Sequence, residues 1–262
     1  MSVSPDFQTA HDAWRATRMA KLTAPDGWLN LQGRWWIAPG QTLTIGNGAD
    51  CDARLAEGPA LLGRLDLTGL ETARFTAADG TVQELDRATG GFSWSADRFL
   101  LEITALNDLR SLRIRDTGSE APAQRGPIPF FPLNPELRLT ARWAPLPAPI
   151  SLTVDTMIGI PTKVPVTHSA TLTVGGHEMQ LLPTYGSADR PQFVIRDLTS
   201  MDDTYAHSRF IFGEDVTADS VVIDFNRAVN PPCAFTRHAV CPLPPRENLF
   251  PLRIEAGERR LG

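Results

Sequence analysis

The chain has 262 residues, a formal net charge of −5, 20 glycines and 22 prolines. A negative balance is an unfavourable field for a phosphate backbone, which excludes nucleic acid as an expected partner. No run approaches the roughly 20 apolar residues of a membrane-crossing helix, and the glycine and proline content favours short strands joined by turns. The expected fold is mainly β, with antiparallel sandwich or barrel-like sheets and one N-terminal helix.

That helix is predicted over Pro5–Lys21. Phe7, Ala10, Trp14 and Thr17 follow helical spacing, and Arg15, Arg18 and Lys21 place positive charge towards the negative end of the dipole. Its expected job is to pack Trp14 onto a β domain. The start, MSVSPDFQTAHDAW, lacks the basic and apolar regions of a secretory signal, so the cytoplasm is the expected compartment. Pro25-Asp26-Gly27 marks a turn, and Trp28–Ile37 is an aromatic-rich stretch carrying Trp28, Trp35 and Trp36 and ending at Pro39-Gly40. Tryptophans in such a cluster serve packing more often than they form a sugar platform.

QTLTIGNGADCDARLAEG, beginning at Gln41, resembles the opening of a forkhead-associated sandwich over about two strands. Asn47 follows Gly46 where that family has a phosphothreonine-reading arginine, so phosphopeptide recognition is not expected. Hairpins are predicted around Asp79-Gly80 and Asn107-Asp108, and the first half carries no catalytic constellation.

Thr117–Pro135 is the main shift in composition and the expected boundary. The organisation read from it is a helix at 1–24, a sandwich-like half at 25–120, and a second β half at 121–262 carrying the site, the halves being either separate or one continuous domain. Leu137–Trp143 is predicted as a strand with Leu137, Leu139, Ala141 and Trp143 on one face, and Ile150–Met157 as another. Gly175-Gly176 is a strong hairpin signal between Thr171–Val174 and His177–Leu182. Gln192–Leu198, Arg209–Phe212 and Val221–Phe225 complete the set.

Candidate chemistry gathers at Val221–Pro245, VVIDFNRAVNPPCAFTRHAVCPLPP, where a strand runs into a proline-stiffened loop. Arg196, Arg209 and Arg227 suit a pocket for an anion, or else pair internally with Asp197, Asp203 and Asp224. Asp224 is disfavoured within a strand and costly unless partnered; its candidate roles are general base, oxygen ligand to a metal, or salt-bridge partner. Cys233, His238 and Cys241, spaced C-x4-H-x2-C, allow a metal site, a disulfide, buried thiols or a nucleophilic Cys233. Tyr205, Asn226 and Asn230 are candidate donors to a developing oxyanion, against the plainer reading of Asn230 as the cap of the Pro231-Pro232 turn. No serine elbow or nucleotide-binding loop is present, so no nucleotide cofactor is expected, and a divalent metal is left open. The three cysteines do not make a scaffold, and Cys51 is odd in any pairing.

The segments RGPIPFFPLNPELRL from Arg125, IRDLTSMDDTYAHSRF from Ile195 and VVIDFNRA…NPPC…CPLPP from Val221, with PDGWLNLQGRWWIAPG near the start, resemble the bacterial domain-of-unknown-function family numbered sixteen eighty-four. The resemblance implies no reaction. It implies that Arg196, Asp197, Thr199, Tyr205, Arg209, Asp224, Asn226, Arg227, Asn230, Cys233 and Cys241 belong to the family pattern. The expected function is a hydrolase for a small anionic or ester-like substrate, with Asp224, Tyr205 and Cys233 in catalytic roles and Arg196, Arg209, Arg227, Asn226 and Asn230 holding substrate. The alternative is a non-catalytic module binding a sugar acid or carboxylate. The sequence does not define the oligomeric state.

Overall fold

The computed structural model describes residues 3–261. Its contacts divide into two compact units, one made of Met1–Thr17 with Gly126–Gly262 and the other of Arg18–Arg125. Helix α1 (Pro5–Thr23) runs two residues beyond the predicted end, and its first thirteen residues belong to the former unit. No helix among the described residues is long and apolar enough to cross a membrane.

The Arg18–Arg125 unit contains β1 (Leu31–Ile37), β2 (Thr42–Gly46), β3 (Ala53–Arg54), β4 (Gly63–Asp66), β5 (Thr72–Ala77), β6 (Val82–Asp86), β7 (Ser93–Ala96), β8 (Phe99–Leu106) and β9 (Leu109–Asp116). A sheet ordered β3-β2-β4-β5-β6 and one ordered β1-β9-β8-β7 share a core that includes Ile45, Leu65 and Phe75 from the first and Leu101, Leu112 and Ile114 from the second. Trp28 stands in a 3-10 turn before β1. There Arg113 lies over its ring, 5.2 Å from the centroid.

The second unit follows a single helical turn, α2 (Ala121–Gln124). Its strands are β10 (Arg138–Val154), β11 (Thr162–Val174), β12 (His177–Leu181), β13 (Tyr185–Ser187), β14 (Arg190–Ile195), β15 (Arg209–Phe212) and β16 (Ser220–Asp224). The sheets are β12-β11-β10-β16 and β13-β14-β15, all antiparallel. Ala141, Ala170, Val221 and Ile223 of the first sheet share a core with Phe193, Ile195 and Ile211 of the second. Alternation along the start of β10 puts Ala141 and Trp143 inside and Arg138, Thr140 and Arg142 outside, the period-two rule for a half-buried strand.

Two corrections follow from β10. The strands predicted at Leu137–Trp143 and Ile150–Met157 are one continuous strand, because both parts pair with β11 across an irregularity between Pro145 and Ile150. Prolines that interrupt a strand pattern are tolerated at such a bulge, where no ladder hydrogen bond is lost. The first half of β11, from Thr162, was absent from the expectation for the same reason. The Gly175-Gly176 turn stands as predicted, with φ of +56° and +81°, the left-handed pair that a tight hairpin requires.

Candidate functional site

β16 delivers Asp224 to its C-terminal end, where the chain turns into a 3-10 segment, Phe225–Arg227. The Asp224 carboxylate caps that turn, Oδ1 accepting from the Asn226 backbone N–H at 3.0 Å and from Asn226 Nδ2 at 2.9 Å. Asn226 in turn clamps Asn134, its Oδ1 accepting from the Asn134 amide and its Nδ2 donating to the Asn134 carbonyl, both at 2.8 Å. It is a structural clasp between β16 and the segment before β10.

Asp224 Oδ2 has no hydrogen-bond partner among the described residues. Arg227 Nε is 3.6 Å away and Arg138 Nε 3.9 Å, long ion-pair separations. Both guanidiniums are drawn elsewhere, Arg227 to Glu214 at 2.6 Å and Arg138 to Asp215 at 2.9 Å. Burial pushes the Asp224 carboxyl above its ordinary range, outweighing the hydrogen bonds from Asn226 and the charges of Arg227 and Arg138. Above this network His11, 5% exposed, stacks on Trp14 at 5.4 Å and meets Phe130 edge-on. Burial first, then Arg15 and Arg227, hold the His11 imidazole below its ordinary value.

The other predicted residues fall into separate places. Arg209 is fully buried and donates to Asp197 and to the carbonyls of Ala256 and Ile254. Its internal pairing removes it from any ligand, as does that of Asn230, whose amide N–H donates to the buried Glu258 at 2.6 Å and whose Nδ2 donates to the Arg259 carbonyl. Arg196 alone of the three arginines is exposed, beside a cleft of about 460 Å³ that Leu198, Met201 and Phe250 also line. Arg196, Arg209 and Arg227 therefore do not converge on one anion.

Tyr205 and Cys233 do come together. The Tyr205 hydroxyl donates to the Cys233 carbonyl at 3.3 Å, and the Cys233 amide donates to Cys241 Sγ at 3.2 Å. None of the three cysteines is in a disulfide. The Cys241 thiol, hydrogen-bonded to Cys233, and the Tyr205 hydroxyl hold the Cys233 thiol below its ordinary value against the opposing effect of burial. Burial, and then the thiol itself, push the Tyr205 hydroxyl up. His238 lies in the same loop, its amide donating to Thr236 Oγ1 at 3.3 Å. Among the described residues no three His, Cys, Asp or Glu side chains converge in a way that would hold a metal ion.

A larger cleft, about 620 Å³, is walled by strands of both sheets of this unit. Trp143 of β10 and His168 of β11 stack with ring centroids 5.1 Å apart and planes 15° off parallel. Tyr185 of β13 forms a second wall, its hydroxyl 3.2 Å from Thr162 Oγ1, while Lys163 and Pro165 of β11 and Pro191 of β14 complete the rim. Lys163 is exposed and makes no ion pair among the described residues. Sequence reading missed this cleft. The one signal available was that Lys163 is one of two lysines in a chain otherwise reliant on arginine for positive charge.

A family model described as a protein of unknown function, DUF1684, matches residues 126–259. No curated protein matches the chain. Among solved structures the chain is similar to the solution NMR structure of an uncharacterized protein from locus rrnAC0354 of Haloarcula marismortui, at 22% identity, over 53% of this chain and 80% of that one, with a TM-score of 0.44.

Proposed function

We propose that this chain, which belongs to the DUF1684 family of proteins of unknown function, binds a small ligand bearing an anionic group on a flat or apolar body, in the cleft lined by Trp143, Lys163, His168 and Tyr185. The observation that carries the reading is Lys163, an exposed ammonium without an ion pair at the rim of an aromatic and proline-lined cavity. A volume of about 620 Å³ lies within the roughly 300–1,000 Å³ of small-molecule sites, which combine apolar walls with a few orienting polar groups. Lysine supplies a mobile point charge for a carboxylate or phosphate, and the walls supply area for the rest of the molecule.

The test is ligand-induced thermal stabilisation with an aromatic carboxylate, a sugar acid, an aryl phosphate, and the neutral amide of the aromatic acid. The charged ligands raise Tm in the wild type and the neutral amide does so less. Lys163→Met weakens binding of the charged ligands by about tenfold, the scale of one lost charge-assisted contact. The reading fails if no ligand stabilises the protein, or if Lys163→Met binds as the wild type does.

A hydrolytic reading rests on a different observation, the buried Asp224 carboxylate with an oxygen that no hydrogen bond satisfies and a raised proton affinity suited to a general base. It is the weaker of the two, because Asp224 is 1% exposed and lines neither cleft. Turnover of carboxylic or phosphate esters that disappears in Asp224→Asn would restore it to first place.

A further inference from the structure

We propose that Cys233 and Cys241 form a thiol modification site in which a hydroperoxide oxidises Cys233 and Cys241 resolves it to a disulfide. The pair is independent of the ligand cleft, and neither cysteine lines it.

The geometry begins with the two anchor points. Cys241 is held in place by backbone pairing: its carbonyl accepts from the Met157 amide at 2.9 Å, and Leu243 beyond it donates to the Asp155 carbonyl at 2.7 Å. Its side chain is 2% exposed. Cys233 sits in the 3-10 turn Pro232–Ala234, partly exposed. The amide of Cys233 donates to Cys241 Sγ at 3.2 Å, so the buried sulfur lies against the partly exposed residue of the pair. The two residues, eight apart in sequence, are thereby held close together, as a disulfide requires.

The roles divide by environment. Cys233 is the partly exposed residue of the pair, and its neighbours Cys241 and, less strongly, Tyr205 favour its thiolate. Cys241, buried with its sulfur accepting from the Cys233 amide, is placed to resolve. In the first step the Cys233 thiolate, its proton released, attacks the terminal, hydroxyl-bearing oxygen of ROOH. The S–O bond forms, the O–O bond breaks, and the alkoxide departs with a proton as ROH, leaving a sulfenic acid. In the second step Cys241 sulfur attacks Cys233 sulfur, the S–S bond forms, and the S–O bond breaks. Hydroxide leaves and takes the Cys241 proton as water. The two thiols are oxidised and the peroxide is reduced, with one disulfide, one ROH and one water as products.

Tyr205 is a positioning residue here, holding the Cys233 turn through its carbonyl. Its neighbour His207 packs edge-on against its ring at 5.3 Å.

The experiment treats the folded, reduced protein with hydrogen peroxide, quenches, unfolds, and labels the remaining thiols with a maleimide. Expected is a fall from three labelled cysteines to one, Cys51. Trypsin then releases the peptides Ala228–Arg237 and His238–Arg246 as a single disulfide-linked pair that reductant separates. In Cys241→Ser, oxidation stops at a Cys233 sulfenic acid that dimedone traps. Tyr205→Phe slows oxidation of Cys233 by about threefold or more near neutral pH, and raising the pH restores the rate. The proposal is overturned if three thiols survive peroxide treatment of the wild type, if the disulfide formed involves Cys51, or if Cys233 in Cys241→Ser is not trapped. A Tyr205→Phe rate equal to the wild type at every pH removes Tyr205 from it.

Discussion

The Arg209 guanidinium closes on the Asp197 carboxylate in the interior, the two side chains 2% and 1% exposed. Arg209 also donates to the carbonyls of Ala256 and Ile254, and Asp197 accepts from the amides of Thr199 and Ile254. The pair thus fastens β15, the turn after β14 and the C-terminal segment to one another. Removing one partner leaves a buried charge unpaired. Arg209→Met or Asp197→Leu alone is expected to lose about 3–5 kcal/mol in urea unfolding, while the double replacement loses less than the sum of the two. Single variants within about 1 kcal/mol of the wild type would show that the pair is not structural.

The Asn226 clasp yields a local prediction. Asn226→Ala strips partners from the Asn134 amide and carbonyl, each an unsatisfied backbone group. A loss of about 1–3 kcal/mol is expected. Hydrogen exchange should localise it, with the Asn134 amide losing protection before the amides of β14 and β15 do.

Two buried titratable groups bend stability with pH in opposite directions. The His11 imidazole is held below its ordinary value, so its contribution is present above the unfolded pKa of about 6.5 and is lost as pH falls through the depressed folded value. His11→Phe keeps a ring against Trp14 and Phe130 and should flatten that acid-side fall. Asp224 is raised, so its contribution is present below the unfolded carboxylate pKa of about 4 and is lost as pH rises through the folded value. Asp224→Asn should remove that slope. Urea midpoints of the three proteins across the acid-to-neutral range check both signs, and parallel curves would contradict them.

The cleft wall depends on a backbone that only glycine adopts easily. Gly186 has φ +95°, and a Cβ there would collide with the Arg190 carbonyl oxygen. Gly186→Ala is expected to cost about 1–3 kcal/mol and to weaken ligand stabilisation by shifting Tyr185, its neighbour on β13. Unchanged stability together with unchanged ligand response would show that this wall yields without consequence.

Oxidation should leave its own mark on stability. Closing the short loop between Cys233 and Cys241 restricts the unfolded chain, which for a loop of this size is worth about 2–3 kcal/mol. The peroxide-treated protein is expected to melt higher than the reduced one, and Cys241→Ser to show no such gain. A lower Tm after oxidation would mean that the disulfide strains the loop.

Local physics made part of this molecule legible. Gly175-Gly176 announced a hairpin because two left-handed residues in succession favour glycine. Alternation from Leu139 to Trp143 revealed which face was buried, and the spacing around Trp14 revealed α1. Other features were opaque because their causes lie across the sheets. The prolines at 145, 147 and 149 read as a break, yet pairing with β11 carries β10 through them. Arg209 and Arg227 read as either an anion pocket or internal pairs because a guanidinium in sequence carries its charge without its partner. Folding set Asp197 and Glu214 against them and spent both charges internally. In sequence Cys233 and Cys241 allowed buried thiols, a disulfide, a metal site or a nucleophilic Cys233, and only the fold put an amide of one against the sulfur of the other. Sequence by itself determined the family, the antiparallel β class and the helix, since these depend on period and turn chemistry. Tertiary structure alone decided which charges are neutralised and which are free: Lys163, Trp143 and Tyr185 share a cleft only because strands distant in the chain are brought together, and no local pattern encodes that meeting.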